Sequence, residues 1–206
     1  MSASFSRLGG PLSLVLLLSG CATAIHQPLT AEAKQLVRSA DVVIGIPQQE
    51  MAAQIKESNM TAAAGGGLLF ALIDAGVNSY RSGNAEDAVR PLRDALISYS
   101  FDENLRVRMD NRLGAVPGMG IGNSKVTKDV SEANYNAIYQ ASSKDAVLIT
   151  NASYTMNVDF SSVVVNATAL LYPKSSGLKA SANLSDADLR DLPVKNAIYR
   201  DTVVFT

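Results

Sequence analysis

Residues 146–172, AVLITNASYTMNVDFSSVVVNATALLY, decide the fold. Apolar side chains recur at every second position in residues 146–156 and again in residues 163–172, which is the period of a β-strand with one buried face. Residues 157–161 (NVDFS) lie between these two stretches and contain Asn and Asp, which favour a chain reversal. The segment therefore predicts an antiparallel hairpin.

Further strands are predicted on both sides of this hairpin. Residues 198–205 predict a third strand, which follows a polar stretch at 173–196 with one helical turn between residues 185 and 192. Near the beginning, a helical turn around residues 31–39 leads into a short strand at 42–46, which a proline ends. We expect an α+β domain with helices packed on one face of a small antiparallel β-meander.

The middle of the chain is mainly helical in pattern. Apolar spacings of three and four predict a helix over residues 68–80, and the sequence Ser82-Gly83-Asn84 breaks it. Asn84 then caps a second helix, which Pro91 kinks or restarts. A solvated helix follows over residues 101–113, where three arginines balance three acids.

Three further segments complete this region. Residues 114–124 are rich in glycine and predict a flexible connector. Ser131 is expected to cap a short helix that carries Tyr135 and Tyr139 and ends near Ser142. Residues 48–58 fit either a helical face or an amphipathic strand.

The first 21 residues are typical of a bacterial secretory leader. Residues 1–7 carry one positive charge and no acid, and residues 8–18 form an apolar run too short to span a bilayer. The run ends in Leu18-Ser19-Gly20-Cys21, which resembles the bacterial lipobox at all four positions. In lipoproteins of that type, the Cys thiol receives a diacylglyceryl group, signal peptidase cuts before it, and the new amino terminus is usually acylated.

The lipobox resemblance implies a cellular location for the protein and a division of the chain into three parts. Residues 1–20 would be a signal peptide, residues 21–31 a lipidated tether that binds membrane lipid through acylated Cys21, and residues 32–206 a single periplasmic α+β domain. Residue 22 is Ala and not Asp, which implies sorting to the outer membrane, on the periplasmic face. Two acyl chains suffice for stable anchoring. The last strand runs to Thr206 without a polar tail, as it also would in a chain truncated at the C-terminus.

Composition excludes several classes of function. The 206 residues are 47% apolar and 18% charged, which suits one folded domain with a core. The 18 basic residues less Arg7 leave 17 against 19 acids after residue 20, so no basic field is available for nucleic acid. Cys21 is the single cysteine, and no disulfide can form within one chain.

Few residues have the pattern of a catalytic or metal site. His26, the only histidine, lies in the tether with no acidic or Cys neighbour in the sequence. Five carboxylates could contribute to a catalytic pair: Asp145, Asp159, Asp186, Asp188 and Asp201. Their spacing in the sequence favours no particular pair, and most of them occupy turn or cap positions. We therefore expect no enzyme, no catalytic residue, no metal and no cofactor.

One glycine run is a candidate ligand site. Gly65, Gly66 and Gly67 precede the helix predicted from residue 68, and free N–H groups at a helix start can bind an anion. No Lys-Ser/Thr pair follows as in a P-loop, so a tightly packed helix start is the simpler interpretation. The uncharged residues 62–73 also fit an inserted membrane hairpin, although 12 residues cannot cross a bilayer.

Three functional hypotheses follow. The first is a non-catalytic accessory or assembly factor that binds an envelope protein. The second is a component of a homo-oligomeric export assembly, because the order of strand, helix and meander resembles the mixed α/β domains of lipoproteins in curli export or in activation of peptidoglycan synthases. The third is a lipoprotein that binds a small anion or lipid through the glycine run.

Overall fold

The computed structural model describes residues 26–50, 52–53, 68–95, 98–157, 159 and 161–206. Five helices are named in chain order: α1 Ala31–Leu36, α2 Leu68–Ala95, α3 Phe101–Gly114, α4 Glu132–Ala141 and α5 Ser176–Ser181. Six strands are named likewise: β1 Ser39–Gly45, β2 Ala52–Ala53, β3 Gly120–Thr127, β4 Ala146–Met156, β5 Val163–Pro173 and β6 Tyr199–Phe205. A short 3-10 turn spans Val194–Asn196.

The six strands form one mixed sheet in the order β3-β1-β4-β5-β6, with β2 paired to the end of β4. The predicted hairpin is confirmed, because β4 and β5 pair antiparallel from Ala146↔Pro173 to Met156↔Val163. Its turn is closed by Asn157, whose side-chain Oδ1 accepts from the Ser161 N–H at 3.0 Å. The third strand of the meander, β6, pairs antiparallel with β5 as expected.

The α+β class is confirmed, but the sheet is not the purely antiparallel meander that the sequence analysis expected. Strand β1 pairs parallel with both β3 and β4, and β2 pairs parallel with β4. Period-two patterning identifies the faces of a strand and carries no information on the direction of a neighbour that lies 100 residues away. The local hairpin was therefore predictable, whereas the parallel half of the sheet was not.

Helices pack on both faces of the sheet, and not on one as expected. On one face, Val43, Val147 and Ile149 are buried with Tyr135 and Tyr139 of α4. The opposite face is covered by part of α2 and by α3, in a cluster that contains Val42, Ile44, Val89, Tyr154 and Met156. Coverage from both sides explains why β4 begins with an almost continuous apolar run, since neither face there meets water.

The break predicted at residues 82–84 is wrong, because α2 is one helix of 28 residues with Pro91 inside it. A Ser, Gly or Asn inside a helix costs only about 1 kcal/mol or less relative to Ala. Directly after these residues, Ala85 and Val89 are buried against the body, and this packing stabilises the continuous helix. Tertiary contacts therefore outweigh the local break signal.

The flexible connector predicted over residues 114–124 is wrong in its second half, where β3 begins at Gly120. A Cβ on Gly122 would collide with the Asp41 carboxylate, so this glycine permits close packing of a strand and does not mark a turn. Gly118 is the turn residue, with φ +80. The helix capped by Ser131 is confirmed as α4, and its cap accepts from the Asn134 N–H at 3.3 Å.

Candidate functional site

Two of the predicted site features lie outside the described residues. These are the lipidation site at Cys21 and the glycine run Gly65, Gly66 and Gly67. Both stay predictions. The described part of the chain contributes the point where the tether joins the domain, the aspartates, helix α2 and the open edge of the sheet.

The tether joins the domain at strand β6. The Gln27 N–H donates to the Arg200 carbonyl at 2.8 Å, and the Arg200 N–H donates back to the Gln27 carbonyl at 3.0 Å. The Arg200 guanidinium also donates to Gln27 Oε1, at 2.9 Å from Nε. Gln27, which lies in the range predicted as the tether, therefore pairs with the edge of the sheet.

His26 has an acidic partner that the sequence did not indicate. Its Nδ1 lies 3.1 Å from Oδ1 of Asp201, which is 175 residues away in the chain and is brought there by β6. The hydrogen bond from His26 holds the pKa of Asp201 below its ordinary value. Both side chains are partly in water, and no Cys or second His accompanies them in the described chain. We interpret the pair as a contact that orients the tether.

The candidate aspartates serve local structure. Asp145 accepts from the backbone N–H groups of Arg38 and Ser39 at 3.2 and 2.9 Å, which ties the start of β4 to the start of β1. Asp159 accepts from the hydroxyl of Ser161 at 2.6 Å and from its N–H, and these hydrogen bonds lower the pKa of Asp159. Asp188 accepts from the hydroxyl of Ser185 at 2.6 Å and from its N–H, with the same effect on the pKa of Asp188. Asp186 pairs with Lys179 at 2.6 Å. The structure therefore places these carboxylates in turns, caps and ion pairs and does not bring them together.

Helix α2 is long, and the first part of it whose side chains are described is exposed. A helix of 28 residues is about 42 Å long. Its described side chains begin at residue 79, and residues 79–84 are all exposed, with Tyr80 at 71%. Among the side chains described in α2, only Ala85 and Val89 are buried. The Arg93 guanidinium forms an ion pair with the Glu50 carboxylate at 3.1 Å. The contacts from Ala85 to Arg93 thus span about 12 Å of the helix.

The charges along the described part of α2 balance. Three arginines and three acids alternate over residues 79–95: Arg81, Glu86, Asp87, Arg90, Arg93 and Asp94. Arg93 donates to Glu86 at 2.7 Å, and this hydrogen bond holds the pKa of Glu86 below its ordinary value. The sequence analysis missed this element because it divided the helix at residue 82; the combined length of the two apolar patterns was the signal for a long helix.

One cleft of the described chain lies beside β4, near the end of β1. It has a volume of about 290 Å³ and is lined by neutral groups that include Asn151, Asn166 and Thr168. Tyr135 donates its hydroxyl to the Asn151 side chain there, and burial raises the pKa of Tyr135 to about 12, so the phenol stays protonated. Among the described residues, no group of three His, Cys, Asp or Glu has the geometry to hold a metal ion. Within those ranges, no helix combines the length and apolar character needed to cross a membrane.

Comparison with known proteins does not identify the family. No family model, curated protein or solved structure matches the chain significantly. The functional argument therefore depends on the residues and their geometry.

Proposed function

We propose that the protein is an outer-membrane-anchored periplasmic lipoprotein that acts as a non-catalytic accessory or assembly factor. In this proposal, helix α2 is the element that binds another protein of the cell envelope. The observation that carries the proposal is the exposure of residues 79–84 of α2, all of whose side chains lie in water. An ordered helix that leaves most of its described side chains in water contributes little to its own core and is suited to contact with a partner.

The short tether supports a function close to the membrane. His26 is five positions after Cys21, and an extended chain of that length spans at most about 18 Å. Lipidation of Cys21 would therefore hold the β6 edge of the domain near the bilayer surface. A helix about 42 Å long can reach a partner at some distance from that surface.

The charge distribution favours a protein over lipid headgroups as the partner of α2. Helices that bind anionic membranes carry an excess of Lys and Arg on their polar face. Helix α2 has three basic and four acidic residues over its whole length, so it has no net attraction to such a surface. Alternating charge of this type is suited to specific pairing with a protein.

The non-catalytic assignment is supported by the aspartates. Each of the five candidate carboxylates has a structural hydrogen bond or ion pair, as described above, and none lies beside a nucleophile with a base. The single histidine of the chain lies at the tether and contacts Asp201. These observations favour binding over chemistry.

The test is photo-crosslinking in cells. A photoreactive residue at Tyr80 should yield a discrete crosslinked envelope protein, because this side chain is 71% exposed and lies in the exposed stretch 79–84 of α2. The matched control is Val194, which is 55% exposed on the 3-10 turn and away from α2. Replacement Cys21→Ala should release the protein from the membrane fraction and abolish the crosslink.

Two results would contradict the proposal. Equal crosslinking from Tyr80 and Val194 would mean that the labelled proteins are random neighbours. A protein that stays in the outer-membrane fraction after Cys21→Ala would overturn the lipid anchor.

A further inference from the structure

Strand β6 forms one edge of the sheet, and part of its outer side has open backbone groups. Arg200 directs its N–H and C=O outward, since both bond to Gln27. Outward and inward groups alternate along an antiparallel strand, so Thr202 and Val204 also direct their N–H and C=O outward. Within the described chain, the outer side of β6 has only the Gln27 pairing, which ends at Arg200.

This open edge lacks the devices that normally prevent edge pairing. Residues 202–206 (TVVFT) contain no charge and no proline. Val203, Val204 and Phe205 are 37%, 58% and 62% exposed. The opposite edge, β3, carries an exposed Lys125 and a register irregularity against β1, which are features that natural sheets use against aggregation. An edge left unprotected in this way is suited to pairing.

We propose that residues 202–206 pair antiparallel with the same residues of a second copy of the chain, with Val204 opposite Val204. In this register, Val203 of one protomer lies opposite Phe205 of the other, twice over, and aromatic side chains pair well with β-branched ones across strands. No charged residue enters the pairing.

The contacts of His26 and Gln27 exclude the registers centred on Val203 and on Thr202. If Val203 lay opposite Val203, Phe205 of the second copy would lie opposite Asp201, where His26 already makes its contact. If Thr202 lay opposite Thr202, Val204 of the second copy would lie opposite Arg200, whose outward groups bond to Gln27. The register centred on Val204 is compatible with both contacts and makes a closed, two-fold symmetric dimer. This inference goes beyond the proposed function and does not depend on what α2 binds.

Disulfide trapping of the full chain in cells tests the register. Residues directly opposite in a hydrogen-bonded pair have Cα atoms about 5.5 Å apart, within the disulfide range, so Val204→Cys should give a disulfide-linked dimer on a non-reducing gel. Val203→Cys should not, because its two copies are diagonal neighbours about 8 Å apart. Val194→Cys matches Val204→Cys in exposure, at 55% against 58%, and controls for random collision. The unaltered chain controls for Cys21.

A backbone substitution provides an independent test. Val204→Pro removes an N–H that points away from β5, so the β5–β6 pairing should persist, while the central hydrogen bonds of the dimer are lost. Loss of two hydrogen bonds should weaken the dimer about a hundredfold. Val204→Thr keeps the N–H and should leave the dimer intact. Native mass spectrometry of the full chain, released from detergent micelles, measures both.

The proposal is overturned by a monomeric wild-type chain or by equal trapping at positions 194, 203 and 204. If residues 22–25 or a different protein covered the outer side of β6, the chain would be monomeric and Val204→Cys would give no disulfide-linked dimer. A dimer trapped only at Val203→Cys would overturn the register.

Discussion

Three of the four buried tyrosines in the described chain have a strongly raised pKa and make the stability of the domain sensitive to alkaline pH. Tyr135, Tyr139 and Tyr172 are 8%, 2% and 1% exposed, and burial raises the pKa of each to about 12. In the unfolded chain, a tyrosine releases its proton near pH 10. Between pH 10 and 12 the unfolded state is therefore charged while the folded state holds the protons, so stability falls as pH rises.

The magnitude follows from the three shifts. Each tyrosine lowers the free energy of unfolding by about 1.4 kcal/mol per pH unit in this window. Together they remove about 4 kcal/mol per unit, and about 8 kcal/mol by pH 12. Because a domain is stable by only about 5–15 kcal/mol, the protein should unfold at or before pH 12. Below pH 10 these groups leave stability unchanged.

Tyr172→Phe isolates one of the three contributions. Its hydroxyl donates to the Leu192 carbonyl at 2.7 Å, so the variant should lose about 1–2 kcal/mol at pH 8. Its loss of stability above pH 10 should be about one third smaller, near 2.7 kcal/mol per unit, so the two curves converge. Comparison of variant and wild type cancels the titration of lysines in the same window.

The assay is urea denaturation of the chain from residue 21, with Cys21→Ser, followed by far-ultraviolet circular dichroism in half-unit steps from pH 8 to pH 12. Absorbance at 295 nm follows the ionisation of tyrosine. Tyr80→Phe removes an exposed phenol and should behave as wild type. Parallel curves for Tyr172→Phe and wild type above pH 10 would refute the reasoning.

Two further predictions concern packing. Asp145→Ala removes the acceptor for the N–H groups of Arg38 and Ser39 and should lower the free energy of unfolding by about 2–3 kcal/mol, measured by urea denaturation at pH 7. An unchanged stability would show that water replaces the carboxylate. Val89→Ala removes a fully buried side chain that packs α2 against the sheet. It should lower the free energy of unfolding by about 1–3 kcal/mol and increase amide hydrogen exchange in residues 85–93. The control Tyr80→Ala should change neither quantity. Unaltered exchange in Val89→Ala would mean that other contacts hold the helix.

Local patterns predicted the hairpin because its signals are short in range. Alternating side chains and an Asn-containing turn act within 27 residues. The strand predicted over residues 198–205 likewise starts within one residue of β6. The Ser131 cap likewise predicted α4, since a cap hydrogen bond closes over three residues. The glycines of residues 114–124 and the sequence Ser82-Gly83-Asn84 led to wrong predictions of a connector and a helix break. Packing against the rest of the domain decides whether such residues end an element.

The sequence by itself determined the α+β class and the antiparallel half of the sheet. It also predicts the lipidated leader, because resemblance to a lipobox requires only adjacent residues. Only the tertiary structure decided that β1 inserts beside β4, that helices cover both faces and that His26 contacts Asp201. It also decided that Thr202 and Val204 direct their backbone groups outward from the edge of the sheet, where no described residue pairs with them. These features join residues up to 175 positions apart, and such contacts depend on packing of the whole domain, which no local pattern of side chains encodes.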